Sequence, residues 1–204
     1  YVQVAERFMP SALEPFSFDG GVYALPETQS YPMFFYRKDI FASLGLEPPE
    51  TWDDFISMAA VLQKNNMQVG MMSGNNISPN ALSAMLIFLY QNNEELYRED
   101  GKYTNLDSDA GLQAFADLLS LFNDYSFPIS FDFPNRFRTG EMPAAIQDYT
   151  LYNNLTIFAP EIKGLWEMVP VPGTVQADGT INNSVPSGGL NSMILTAAED
   201  KETA

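Results

Sequence analysis

Asp148, Tyr149 and Tyr152, within the run DYTLY, are the residues of this chain whose types and spacing point most directly to chemistry. A tyrosine presents a flat apolar face with a polar tip, which suits the C–H face of a pyranose, and a carboxylate accepts hydrogen bonds from hydroxyls. The same run has a plainer reading, in which Asp148 only caps a helix and the tyrosines are core. Asn75 and Asn76, in SGNNISPN, can both donate and accept toward a polyol, although asparagine-rich turns are commonly just turns. Ser187, Gly188 and Gly189 have little or no side chain, so backbone there can approach a ligand or simply turn tightly. Gln29, Ser30 and Tyr31 close a polar stretch between two apolar runs, either as ligand contacts or as a linker. All of this is the chemistry of recognition.

What the chain lacks narrows the chemistry further. It has no Cys and no His, which removes thiol nucleophiles, disulfides, imidazole bases and the common zinc sites together. Ten Lys and Arg against 26 Asp and Glu give a net charge of −16, which repels nucleic acid and anionic lipid. Glu94 with Glu95, and Asp53 with Asp54, are adjacent in sequence and so point to different faces, which nominates no acid and base pair. No G-x-S-x-G, Walker or metal-ligand spacing is present. The expectation is therefore no catalytic residue, no metal, no cofactor and no nucleic-acid partner. Arg136 and Arg138 are the only paired cations near a candidate loop, and R-x-R can simply face solvent. A neutral saccharide fits these residues better than a strongly anionic solute.

These candidates need elements to hold them. At 204 residues, 46% hydrophobic and 13% aromatic, the chain can bury a sizeable core. Apolar runs predict strands over 22–25 and 31–36. A short helix over 37–44 ends at Gly45, and Thr51 with Asp54 three residues on opens the next helix at Trp52. That helix, over 52–65, carries Phe55, Met58, Ala59 and Leu62 on one stripe, and a strand over 67–72 completes what reads as a β-α-β unit. Residues 81–90 are apolar all round, which predicts a buried helix. Asp100-Gly101 marks a small hairpin. Asp107 can cap a helix in which Leu112, Phe115, Leu118, Leu119 and Phe122 form the strongest amphipathic pattern of the chain. Further expectations are a short helix over 135–139 stopped by Gly140, strands over 144–147, 166–171 and 193–196, a helix over 149–158, and a turn at 177–180.

The ordered motifs GVYALP, YRKDIF and GLEPPETWDDF, followed by EDGKY, FRTGEMPAAIQ and SGGLNSMILT, resemble the extracellular solute-binding proteins of ABC importers, in the maltose-binding-protein-like group. The resemblance covers most of the chain, and it implies an α/β fold forming one lobe of a two-lobed periplasmic-binding-protein-like architecture, with remnants of the second lobe at both ends. It divides the chain into an amino-terminal-lobe remnant and crossing strand (1–30), a carboxy-terminal lobe (31–169) and a return segment (170–204). It also implies a solute, expected to be a mono- or oligosaccharide, captured in an interlobe cleft and delivered to membrane permease subunits. In the group the stretch matching Thr28 to Tyr31 crosses along the cleft floor, and the stretch matching Asp148 to Tyr152 places an aromatic over the sugar. Maltose binders carry Trp in that neighbourhood where this chain has Tyr, so maltose itself does not carry over. Glycerol phosphodiesters or other organophosphates are the alternative solute, and a sensor or interaction module the alternative role. Tyr1 is not an initiator Met, and the expectation is a segment of a longer protein that is extracellular, lipoprotein-anchored at the cell surface, or periplasmic.

Overall fold

The computed structural model describes residues 6–72 and 80–199. They divide into two compact units, one built from the chain up to Ser30 together with the chain from Ser187, the other from Tyr31 to Pro186.

The larger unit is built on β4 (Pro32–Arg37), a strand buried on both faces. Alternation sends Phe34 and Tyr36 to one side and Phe35 to the other, so a nearly unbroken apolar run is what this position requires. β4 pairs antiparallel with β6 (Ala144–Asp148), from Pro32 opposite Asp148 to Tyr36 opposite Ala144. On its other edge it pairs antiparallel with β7 (Trp166–Val169), from Phe34 opposite Val169 to Arg37 opposite Trp166. β5 (Val69–Gly70) pairs parallel with β6, giving the order β5-β6-β4-β7. β6 therefore lies between β4 and β5, and these two run oppositely. The expected β-α-β unit is not formed, because long-range pairing with β6 separates two strands that are neighbours in sequence.

One face of the sheet packs Phe34, Tyr36, Ala144 and Ile146 against α2 (Lys38–Leu44), α3 (Trp52–Lys64), α4 (Asn80–Gln91) and α5 (Asp109–Asn123). The other packs Phe35 and Ala145 against Phe133, Phe137 and Leu155 of α6 (Phe133–Thr139) and α7 (Leu151–Phe158). Helices on both faces of a sheet make this an α/β layered unit. Its boundaries follow local chemistry. Gly45 and Gly140 end α2 and α6 with φ of 66° and 85°, and Thr51 and Asp54 form a reciprocal capping box at the start of α3. Buried Arg37 makes a bidentate bond to Asp39 and donates to the Phe137 and Arg138 carbonyls, closing the carboxyl end of α6. The guanidinium's hydrogen bonds hold the Asp39 carboxyl below its usual range.

Two helix details differ from expectation. Ser108, not Asp107, caps α5 by accepting from the Gly111 N–H, and Asp107 instead pairs with Arg98 at 2.6 Å. The buried face of α5 is Gly111, Ala114, Leu118 and Leu121 with Phe122 packed beside it, so of the predicted stripe Leu118 and Phe122 face the core while Leu112, Phe115 and Leu119 are exposed. Small residues win because the contact is close: a Cβ on Gly111 would lie 2.4 Å from the Asn105 carbonyl oxygen.

Residues 170–186 are bound into the same unit. β8 (Thr174–Val175) and β9 (Ile181–Asn182) form a hairpin through the expected turn, in which Asp178 accepts from Thr180. Gly173 donates to the Glu50 carbonyl, and Asn182 donates to the Tyr90 and Gln91 carbonyls.

The smaller unit contains α1 (Pro10–Leu13), then β1 (Ser17–Phe18) paired with β2 (Gly21–Val22) through Asp19 and Gly20, both at positive φ. β3 (Leu25–Pro26) pairs with β10 (Asn191–Ser192). The strand expected over 22–25 is thus split, since Val22 and Leu25 serve different ladders. The last strand is at 191–192 rather than 193–196, because the ladder to β3 uses Asn191 and Ser192.

Candidate functional site

Among the predicted site residues, Tyr31 and Tyr149 are brought together by the end of the β4/β6 ladder. The Tyr149 N–H donates to the Tyr31 carbonyl at 3.0 Å, one residue beyond the Pro32 and Asp148 pair. The two rings stack at 4.7 Å between centroids and 25° between planes, with Tyr31 still 38% exposed. Asp148 is half-buried and its Oδ1 accepts from both the N–H and the hydroxyl of Thr150. It therefore shapes the turn into α7. Thr150 occupies the cap position without a side-chain cap bond.

Tyr152 belongs to a second aromatic pair. Its ring, 47% exposed, meets the edge of Trp166 at 5.5 Å, and both line a cavity of about 460 Å³ with Thr156, Lys163, Glu167 and Met168. Glu167 accepts from the Tyr36 hydroxyl, whose pKa is raised by burial first and by this carboxylate second. Sequence reasoning missed Trp166 as a neighbour of Tyr152, and it lies opposite Arg37, at the far end of β4 from the Pro32 and Asp148 pair. Its aromatic character at the head of a predicted strand was the available signal, but only the β4/β7 register places it beside Tyr152.

In the smaller unit, Ser30 and Gly188 exchange both backbone hydrogen bonds, at 2.7 and 2.8 Å. Gln29 Nε2 lies 3.5 Å from the Ser187 hydroxyl. The two glycines differ. A Cβ on Gly189 would fall 2.0 Å from the Thr28 carbonyl oxygen, whereas one on Gly188 would meet nothing within 4 Å. Gly189 is thus a glycine because backbone passes against backbone. Gly189→Ala is expected to raise hydrogen exchange at the Ser30 and Leu190 amides about tenfold or more, by opening the local pairing, while Gly188→Ala leaves them at parental rates. Equal behaviour of the two variants would contradict this assignment. Asn75 and Asn76 lie outside the described residues.

Arg136 and Arg138 are engaged by their own surroundings. Arg136 bonds the Gln68 side chain, and Arg138 pairs with Glu161 at 3.1 Å while lying over the Phe158 ring at 5.7 Å. Among the described residues no group of three or more His, Cys, Asp or Glu is arranged to hold a metal ion. The arrangement at the end of β4 and β6 sets aromatic faces beside a carboxylate.

The model of the bacterial extracellular solute-binding protein family matches residues 2–204. The chain is similar in structure to an ABC transporter solute binding protein from Thermotoga lettingae bound with alpha-D-tagatose. There the TM-score is 0.77 and the identity 21%, over 97% of this chain and 52% of that one. It is also similar to maltose-bound MalE3 of T. maritima, with a TM-score of 0.74 and 21% identity over 90% of this chain and 48% of that one. A stretch of 58 residues is 38% identical to the sn-glycerol-3-phosphate-binding periplasmic protein of Escherichia coli, covering 27% of this chain and 13% of that protein. The chain spans about half the length of the solved chains and less than half of the curated relatives that it matches.

Proposed function

The chain belongs to the family of bacterial extracellular solute-binding proteins, and from that premise we propose that it supplies one lobe of a carbohydrate-capturing component of an ABC importer. The family's members bind solutes for transport and are not enzymes, and they work outside the cell membrane or in the periplasm. The observation that carries the carbohydrate reading is the stacked Tyr31 and Tyr149 pair at the edge of β4 and β6, beside the half-buried Asp148. Aromatic faces bind the C–H side of a sugar ring, and the polar atoms around them fix its hydroxyls. Tyr152, beside Trp166 on its own cavity, is a further proposed contact, as are Asn75 and Asn76 and, within the smaller unit, Gln29, Ser30, Ser187, Gly188 and Gly189. The solved relatives that hold tagatose and maltose support the same reading. The longer protein, anchored as a lipoprotein or free in the periplasm, then passes its solute to permease subunits in the membrane.

The Escherichia coli similarity favours a second reading, a glycerol phosphate or related organophosphate. A phosphate calls for unengaged Arg or Lys or a set of free N–H donors. Arg136 and Arg138 bond Gln68 and Glu161, which leaves the stacked Tyr31 and Tyr149 rings as the observation supporting the neutral sugar. Calorimetry of the longer protein against a panel of mono- and oligosaccharides, with glycerol phosphate and glycerol phosphodiesters included, separates the two. Saturable binding of a neutral sugar is the expected result. Binding of the phosphate compounds alone would overturn it.

A further inference from the structure

A cavity of about 330 Å³ opens where the start of α3, the side of α4 and the second half of α5 meet β8, and it shares no lining residue with the candidate solute site. Its walls carry three aromatic rings, Trp52, Phe88 and Tyr125, and two carboxylates, Asp53 and Asp117. No Lys or Arg lines it. Trp52 is fixed by the fold itself: it stacks on Phe88 at 4.4 Å and 29°, meets Phe55 edge-on at 5.4 Å, and donates from Nε1 to Gln91 at 2.7 Å. Tyr125 is held through its main chain, whose carbonyl accepts from Gln63 Nε2 at 2.6 Å, and the residue stays 39% exposed. The charges are unbalanced. Asp53 is exposed and Asp117 half-buried, Asp117 accepts from the uncharged Gln113 side chain at 2.8 Å, and neither has an ion-pair partner among the described residues. Asp53 complements the start of α3, as first-turn acids do, but Asp117 lies in the second half of α5, where the helix dipole gives an acid no such advantage. Nor does the start of α3 turn the cavity toward anions, because Thr51 and Asp54 satisfy one another and the Trp52 N–H donates to the Gly173 carbonyl.

We propose that this cavity binds a small organic ammonium ion, its charge answered by Asp53 and Asp117 and its methyl or methylene groups set against Trp52 and Tyr125. Aromatic rings attract a cation through the negative potential of their faces, and rings already held in place lose little freedom on binding. The volume lies at the lower end of ligand cavities, so the ion is small. A bare metal ion is a poor occupant, since it needs several oxygen ligands that rings do not supply, and no group of three or more His, Cys, Asp or Glu is arranged for one among the described residues. A neutral sugar leaves the two negative charges unanswered.

Calorimetry of the longer protein with tetramethylammonium, beside neopentyl alcohol as an uncharged molecule of similar shape, tests the proposal. Saturable binding of the ammonium ion and none of the alcohol is expected. The double variant Asp53→Asn with Asp117→Asn is expected to bind the ion about tenfold or more weakly, since each nearby charge is worth roughly a factor of five even in water. Tyr125→Leu is expected to weaken it about two- to fivefold. Added salt weakens binding to the parent and leaves the double variant nearly unaffected. Thermal melts like the parent's confirm that the variants fold. No saturable binding of tetramethylammonium, equal binding of the alcohol, or a double variant with the parent's affinity and salt response would each overturn the proposal. So would displacement of the ion by the sugar that the panel identifies, which would move it to the Tyr31 and Tyr149 site.

Discussion

Gln91→Leu is expected to destabilise the larger unit by about 2–5 kcal/mol, out of proportion to the small change in shape. Gln91 is fully buried at the end of α4. Its Oε1 accepts from Trp52 Nε1 at 2.7 Å and from the Thr174 hydroxyl at 3.0 Å, and its Nε2 donates to the Pro172 carbonyl at 3.0 Å. Its main-chain carbonyl accepts from Gln176 and Asn182. One side chain thus ties α3, α4 and the hairpin of β8 and β9 together. Leucine fills a similar volume but leaves the Trp52 N–H and the Pro172 carbonyl without partners, and each buried orphan costs roughly 1–3 kcal/mol. Thr174→Val removes only one donor, while Gln91 keeps its bond from Trp52, so it should cost about 1 kcal/mol or less. Urea unfolding reads both as shifts of midpoint at constant slope. A Gln91→Leu midpoint equal to that of Thr174→Val would mean that apolar contacts alone hold the hairpin.

Much of the fold was legible where one local rule decides it. The apolar run around Phe34 and Phe35 needs burial on two faces, Gly45 and Gly140 supply the positive φ that stops a helix, and Thr51 with Asp54 caps one. Features set by distant partners were not legible. No local pattern states that β6 enters between β4 and β5, or that residues 170–186 reach back to Gln91. The face of α5 was only partly legible for a related reason. Of the apolar residues Leu112, Phe115, Leu118, Leu119 and Phe122, only Leu118 and Phe122 face the core, because the close approach of backbone at Gly111 turns that side of the helix inward. At the candidate site, the sequence nominated Tyr31, Asp148, Tyr149 and Tyr152 by type. It gave no means of telling that Tyr149 goes to Tyr31 and Tyr152 to Trp166, because the pairings depend on the registers of β6 and β7 with β4.

Tyr149→Ala is expected to separate binding from folding. The ring is half-buried and its aromatic partner is Tyr31, so its loss from the fold is of the order of a stacked pair, roughly 0.5–1.5 kcal/mol. If the pair holds a sugar, the same change removes an apolar face that the ligand would bury, worth about 1–3 kcal/mol of affinity. By affinity arithmetic that weakens Kd roughly 5- to 150-fold. Asp148→Asn gives a milder companion. It keeps an Oδ1 able to accept from Thr150 but turns a group that only accepts into one that also donates. The most direct measurement is calorimetry of the longer protein and its Tyr149→Ala variant against the sugar found in the panel, with urea unfolding of both in parallel. The account predicts a Kd raised at least about fivefold with unfolding within about 1.5 kcal/mol of the parent. A Kd unchanged while stability falls by about 3–5 kcal/mol, as when a core aromatic is truncated, would show that Tyr149 belongs to the core and would contradict the proposed site.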